Sequence, residues 1–195
     1  KVDGRMDYAA GQYAELSLEG FDRPREYSFA TVAAAGGSDL LSFIVRHVPG
    51  GRFTDWLFAE DRVGEIVNVQ GPTGNFWLRE GEAPLLFVAG GSGLAPLKAI
   101  LEDGVGRRVK RDLVFLFGAR EQRDLYLMDE LQEIGAQWQG AFTLMPVLSD
   151  EAEDSDWQGA RGLVTTAINE SVVPGLPGCH AYLCGPPVMI DAAIE

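Results

Sequence analysis

Residues 84–96 read Pro84-Leu85-Leu86-Phe87-Val88-Ala89-Gly90-Gly91-Ser92-Gly93-Leu94-Ala95-Pro96. The run 84–89 is apolar and uncharged, which suits a short strand buried on both faces of a parallel sheet. The glycines that follow let the backbone turn tightly. Pro96 is comfortable in the first turn of a helix. A strand, a glycine-rich turn and a helix start together form a place where free N–H groups can hold a pyrophosphate. The stretch is not a P-loop, because no Gly-Lys-Ser/Thr follows, and Pro96 stands where a dinucleotide fingerprint has its third glycine. On this reading Gly91, Ser92, Gly93, Leu94, Ala95 and Pro96 form a nucleotide-binding turn.

Working toward the C-terminus, the same grammar repeats. A helix is expected over 95–102, a strand over 113–117, a helix over 128–134, a strand over 142–148, a helix over 165–172, a strand over 181–184 and a helix beginning near Pro187. Such alternation predicts an open, doubly wound parallel sheet with helices on both faces. Toward the N-terminus the grammar changes. Segments 13–18, 40–48 and 65–69 are rich in β-branched and aromatic residues with partial alternation. Glu19-Gly20, Gly36-Gly37, Pro49-Gly50-Gly51 and Gly71-Pro72 read as turns between them, and 54–59 as a short helix. That half predicts a small antiparallel barrel or sandwich. The expected division is residues 1–81 and residues 82–195.

Bulk properties narrow the classes. The chain has 195 residues, 46% of them hydrophobic and 23% charged, enough for one large core or two small ones. The net charge of −13 argues against a nucleic-acid partner. It leaves two readings open, steering toward a basic redox partner and simple solubility. No apolar run reaches the roughly 18–20 residues a bilayer span needs, so no membrane partner is expected. No signal or transit peptide is visible, and Lys1 in place of Met points to a missing N-terminal segment. The two cysteines, Cys179 and Cys184, make a disulfide framework unlikely to be the basis of the fold and suit a reducing cytoplasm. With His47 and His180 as the only histidines, no metal site is expected, and a four-thiolate iron–sulfur cluster cannot form on this segment alone.

Three further motifs stand at element ends. Arg25-Glu26-Tyr27-Ser28 offers a guanidinium for a phosphate, an aromatic face for a ring and a small hydroxyl. A surface salt bridge explains such a string equally well when it stands alone. Gly50-Gly51-Arg52-Phe53-Thr54 leads into the short helix and reads either as a phosphate-holding turn or as a plain capped one. Cys184-Gly185-Pro186-Pro187-Val188-Met189 follows a strand at the edge where open α/β sheets bind ligands. A buried thiol beside a tight turn is the plainer interpretation of that segment.

The order of these motifs resembles the ferredoxin–NADP reductase superfamily, and within it the reductase components of bacterial multicomponent oxygenases, such as those serving benzoate dioxygenase or soluble methane monooxygenase. Gly71-Pro72-Thr73-Gly74-Asn75-Phe76, Phe117-Gly118-Ala119-Arg120 and Asp124-Leu125-Tyr126 match the same pattern. The resemblance covers nearly the whole chain. It implies an antiparallel Greek-key flavin-binding barrel followed by the nucleotide-binding sheet, with FAD and NADH as the cofactors. Arg25 would contact an FAD phosphate, Tyr27 stack on the isoalloxazine and Ser28 lie near its N5. Ile44, Val45 and Arg46 would line the flavin, and Gly51, Arg52, Phe53 and Thr54 would hold its pyrophosphate. Gly91 to Pro96, with Gly118 and Arg120, would receive NADH. Cys184, Gly185, Pro186 and Met189 would approach the nicotinamide, Cys184 as a shaping contact and not a nucleophile. Ser28, Tyr27 and Cys184 are thus the residues expected at the hydride transfer from nicotinamide C4 to flavin N5.

NADPH-using relatives carry Ser-Arg where this chain has Ser149-Asp150. A carboxylate facing a 2′-phosphate repels it, so NADH is the expected donor, with Arg120 a nearby cation that softens the repulsion. Two departures from the pattern stand out. The chain stops at Glu195, short of the strand and the flavin-covering aromatic residue of relatives. It also lacks the N-terminal 2Fe–2S domain of many oxygenase reductases. The cluster is therefore expected on a missing domain or on a partner, a ferredoxin domain or the oxygenase component. Alternatives keep the fold and change the acceptor to a cytochrome, haem or free flavin, or replace catalysis by nucleotide-dependent regulation of a partner.

Overall fold

The computed structural model describes residues 3–195; Lys1 and Val2, where the first expected unit begins, lie outside the described residues. In the N-terminal half, strands β1 (Tyr13–Ser17), β2 (Arg25–Ser28) and β3 (Asn68–Thr73) form an antiparallel sheet in the order β2-β1-β3. Side chains of β1 alternate, with Ala14 and Leu16 buried and Tyr13, Glu15 and Ser17 half-exposed, as a one-sided sheet requires. Ala14 lies in a small core with Tyr8 and Phe29, whose rings stack with centroids 3.8 Å apart. Isolated bridges, Met6 to Ser38 and Phe29 to Phe43, carry the pairing around this core beyond the three regular strands. Helix α1 (Arg52–Ala59) presses Phe53 against Leu16 and Leu18.

Three local expectations are corrected here. Residues 40–48 form no strand; their one β-bridge among the described residues pairs Phe43 with Phe29, beside it Ser42 O accepts the N–H of Ala30, and Arg46, His47 and Val48 are exposed. The expected strand 65–69 starts at Asn68, because the N–H of Glu65 closes a turn on Arg62 O. That strand then runs on through Gly71-Pro72, which had read as a turn. β3 is an edge strand, where a proline without an N–H is tolerated.

In the C-terminal half, β4 (Leu85–Gly90), β5 (Leu113–Ala119), β6 (Phe142–Leu148), β7 (Ala160–Arg161) and β8 (His180–Cys184) form a parallel sheet in the order β7-β6-β5-β4-β8. Every residue of β4 is buried, and its side chains divide between two cores. Leu85, Phe87 and Ala89 meet α2 (Leu94–Gly106) and α3 (Met128–Gly135) on one face, with Leu97, Ile100 and Leu131. Leu86 and Val88 meet Leu116, Val147 and Val164 on the other. Helix α4 (Pro187–Ile194) follows β8.

The helix expected over 165–172 is a single 3-10 turn, Val164–Ala167. Thr166 Oγ1 donates to Leu163 O, and Asn169 Oδ1 accepts the N–H groups of Ser171 and Val172, so side chains take the hydrogen bonds a helix would use. Strand β7 had no counterpart in the sequence pattern.

The halves meet along an apolar seam. Ala10, Phe76 and Leu78 join the core that packs on α2. At Gly11 a Cβ would fall 1.6 Å from Phe76 O of the same half and 2.9 Å from Ile100 Cδ1 across the seam.

Candidate functional site

In the parallel sheet, β5 lies on one side of β4 and β8 on the other, so the strand order reverses at β4. Crevices outside the carboxyl ends of strands at such a reversal are where open α/β sheets take ligands. The register sets Ala89 between Phe117 and Cys184, and Gly90 beside Gly118, at that edge. Gly93 shows why the turn must be glycine-rich. A Cβ there would lie 2.1 Å from Cys184 O, so the start of α2 rests directly on the end of β8. Gly91 adopts φ +54°, which a side chain would oppose.

A cleft of about 710 Å³ opens over this edge. Its sheet side carries Gly91, Ser92, Gly118, Arg120, Pro186 and Met189, and its opposite wall is Ile44, Val45 and Arg46 from the N-terminal half. The departure of residues 40–48 from the sheet thus has a use: the segment turns its apolar residues into a wall. The cleft also contains residues not singled out from the sequence as site residues, among them Arg123, Leu163 and Tyr126.

Tyr126 closes the glycine turn from outside, its hydroxyl donating to Gly91 O at 2.8 Å. Burial, and secondarily the neighbouring Cys184 thiol, push this phenol up to about 12. Burial also raises the Cys184 thiol above its ordinary value. Both shifts favour the protonated forms. No cluster of three or more His, Cys, Asp or Glu side chains is placed to hold a metal among the described residues. No helix of the structure is long and apolar enough to cross a membrane.

The remaining expected residues gather elsewhere. Tyr27 packs against Phe53 at 5.7 Å, and Phe53 also meets Phe21 and Trp56. Arg25 donates to Arg23 O at 2.8 Å and lies 3.6 Å from Asp22. Arg52 donates to Gly20 O at 2.8 Å and covers the Phe21 ring at 4.6 Å. Thr54 is buried, its hydroxyl shared among main-chain groups of Val48 and Gly51, so it holds the Gly50-Gly51 turn in shape. Ser28 ends β2 half-buried. Leu94, Ala95 and Pro96 are buried at the start of α2, and Gly185 sits against Met189. Asp150 pairs with Arg120 at 2.8 Å, and its N–H donates to Arg120 O at 2.9 Å, so carboxylate and cation act as one exposed unit at the rim.

The donor set fits anionic dinucleotides. The start of α1 carries no side-chain cap, which leaves the N–H groups of its first turn open to phosphate. Before α2 the open groups belong to the uncapped 3-10 turn Gly91–Gly93, because the N–H of Leu94 already donates back to Gly91 O and Ser92 O. The cleft is large enough for a cofactor and combines apolar walls with a few cations.

Comparison with known proteins agrees with this geometry. The family model described as an oxidoreductase NAD-binding domain matches residues 87–195, and the model of an oxidoreductase FAD-binding domain matches residues 1–77. The xylene/toluene monooxygenase electron transfer component of Pseudomonas putida is 44% identical over 98% of this chain and 53% of its own length. The reductase component of phenol 2-monooxygenase from Pseudomonas sp. strain CF600 is 37% identical over 100% of this chain and 54% of its own. The crystal structure of an Amycolatopsis cytochrome P450 reductase superposes with a TM-score of 0.86 at 35% identity, over 98% of this chain and 57% of that one. The chain spans about half the length of the curated relatives it matches.

Proposed function

The chain belongs to the oxidoreductases built from an FAD-binding and an NAD-binding domain, and from that premise we propose that it is the flavin- and NADH-binding part of an electron-transfer reductase serving an oxygenase. Residues 1–81 are the FAD-binding unit and residues 82–195 the NAD-binding unit. The observation that carries the reading is the shared cleft, in which Ile44, Val45 and Arg46 of the first half face Gly91, Gly118 and Pro186 of the second. Two flat rings held from opposite walls meet in such a space, and orientation of that kind is the main service a protein gives to cofactor chemistry.

FAD, when bound, supplies the capacity to accept two electrons from NADH and release them singly to an iron–sulfur centre on another domain or partner. The residues of the chain bind and orient. Tyr27 and Ser28 present the ring face and the hydroxyl to the flavin. The N–H groups of Arg52 and Phe53 receive its pyrophosphate beside Gly51, whose own N–H is held by Val48 O, with Thr54 keeping the turn in shape. Arg25 and Arg52 exchange their present carbonyl partners for phosphate oxygens. Gly91 to Pro96 receive the NADH pyrophosphate. Cys184, Gly185, Pro186 and Met189 shape the nicotinamide pocket, where protonated Cys184 and Tyr126 add no charge. Asp150 disfavours a 2′-phosphate and so favours NADH over NADPH. The cytoplasm, where NADH is regenerated, is the proposed location.

The test is direct. Purified protein supplied with FAD should become yellow and lose its visible flavin absorbance when titrated anaerobically with NADH. Protein that stays colourless with FAD present, or a bound flavin that NADH leaves oxidised, defeats the proposal. Bound nucleotide without reduction favours a regulatory module.

A further inference from the structure

Lys98 is only 3% exposed, in the middle of α2, although a lysine is among the residues least often buried. Its Nζ lies 3.2 Å from Ala30 O, across the seam between the halves. It also lies 2.5 Å from Glu102 Oε1 and 2.9 Å from Glu130 Oε1 on α3. Glu102 reaches across the same seam, Oε2 accepting the N–H of Val32 at 3.2 Å. Burial works against the charged lysine, but the hydrogen bonds it donates to Glu102 and Glu130 outweigh that and raise its pKa. The ammonium is therefore charged, desolvated and held from three directions.

Those three directions have something in common. Ala30 lies two residues past Ser28 at the end of β2, and its N–H donates to Ser42 O, two residues before the Ile44–Arg46 wall. Helix α2 begins at the glycine turn. Helix α3 begins two residues after Tyr126. Each segment tied to Lys98 thus leads into one wall of the site. A buried, hydrogen-bonded charge is often no more stabilising than an apolar side chain of the same shape, so its worth lies in the one geometry it permits. The apolar seam around Gly11 sets how close the halves come. The directional bonds of Lys98 set how they are turned.

We infer that Lys98 is a positioning residue that fixes the orientation of the β2 end relative to the glycine turn, and thereby the approach of nicotinamide to flavin. This rests on the reading of the chain as an NADH-dependent flavoprotein.

The test compares Lys98→Met and Lys98→Arg with the unaltered protein. Three readouts are needed: amide hydrogen exchange of residues 30–32 without cofactors, the long-wavelength charge-transfer absorbance on mixing reduced nicotinamide with the flavoprotein, and stopped-flow flavin reduction across NADH concentrations. Lys98→Met should fold, exchange the Val32 amide faster, lose charge-transfer intensity and reduce flavin on the order of 10–100-fold more slowly at saturating NADH, with NADH affinity little changed. Lys98→Arg should recover part of the charge-transfer signal. A Lys98→Met protein with unaltered charge-transfer absorbance and reduction rate overturns the inference. Should Lys98→Met fail to fold, Glu130→Gln removes one partner at a half-exposed position and is read in the same way, with smaller effects expected and none overturning the inference. Unaltered protein whose flavin NADH cannot reduce overturns the functional reading first, and the inference with it.

Discussion

Phe115, in the parallel sheet, and Phe29, beside the antiparallel one, are both fully shielded from solvent, yet their surroundings differ. Phe115 belongs to a continuous core contributed by β4, β5, α2 and α3, with Phe87, Leu97, Ile100 and Leu131 among its members. Phe29 has Tyr8 and Ala14 as its fully buried companions, and its other neighbours are half-exposed. The remaining apolar residues of that half form a second small cluster around Leu16, Leu18 and Phe53. The cations there, Arg25 and Arg52, are occupied by carbonyls of their own loops. The C-terminal half is a finished scaffold whose ligand edge is fixed by strand register. The N-terminal half divides its apolar side chains between small clusters and keeps Arg25 and Arg52, the groups proposed to meet phosphate, in local bonds. A ligand should therefore change the first half more than the second.

The largest expected effect breaks the scaffold outright. Phe115→Ala should cost about 3–5 kcal/mol in urea unfolding, and FAD should not restore it. A loss below about 1 kcal/mol would show that the parallel core is looser than its burial implies. Next, FAD at about 100 times its dissociation constant should add about 2.7 kcal/mol of stability. Hydrogen exchange should find the new protection chiefly in residues 13–73; equal protection of β4, β5 and β6 would erase the contrast between the halves. A smaller effect belongs to the rim. Asp150→Arg should move the NADH-to-NADPH preference about tenfold toward NADPH, since a solvent-exposed pair is strongly screened. An unchanged ratio of kcat/KM values would remove Asp150 from the account of selectivity.

The smallest effect is a pH dependence. The Lys98 pKa stands above its ordinary 10.5 because the carboxylate bonds outweigh the burial that opposes them. Its contribution to stability is complete below the ordinary value and is lost as pH rises through the raised one. Tyr126 acts in the same direction. Its folded phenol, pushed up to about 12, keeps a proton that the unfolded chain loses near 10, so rising pH favours unfolding across that interval. Unfolding midpoints should fall above pH ~10. Lys98→Met should make that fall shallower, and an identical slope in the variant would deny Lys98 its share.

How much of this was legible depended on whether a residue's partners were near in sequence. Strand β4 was plain, because burial on both faces leaves no place for a polar side chain. The glycine turn was plain for the same local reason. Segment 40–48 misled because Ile44 and Val45 are β-branched and apolar for the sake of the cleft and not of a ladder. β7 has two residues, too few to show a period, and its place is set by parallel pairing with β6. Tyr126 stood within a quoted motif, but its bond to Gly91 O spans 35 positions and no local pattern announces it. Lys98, the one charge between Leu94 and Leu101, was not singled out in the sequence, and its gathering of Ala30, Glu102 and Glu130 belongs to the folded chain alone. The assignment of Asp150 to cofactor choice came from family pattern, as did Arg120 as the cation near it; the structure adds that the two form a direct ion pair.

The contact at Gly11 reaches into how such proteins can be rebuilt. With Phe76 O so near, a methyl group at position 11 would have to displace the backbone of its own half, while Ile100 Cδ1 across the joint could turn aside. Recombining this chain with a relative by exchanging everything before β4 therefore imports a new hinge surface along with a new flavin pocket. A chimera that matches at Gly11, Phe76 and Ile100 should assemble as well as its parents. One that carries alanine at position 11 should distort its own chain around Phe76, and so the surface it offers to Ile100, however faithful its ligand-binding residues.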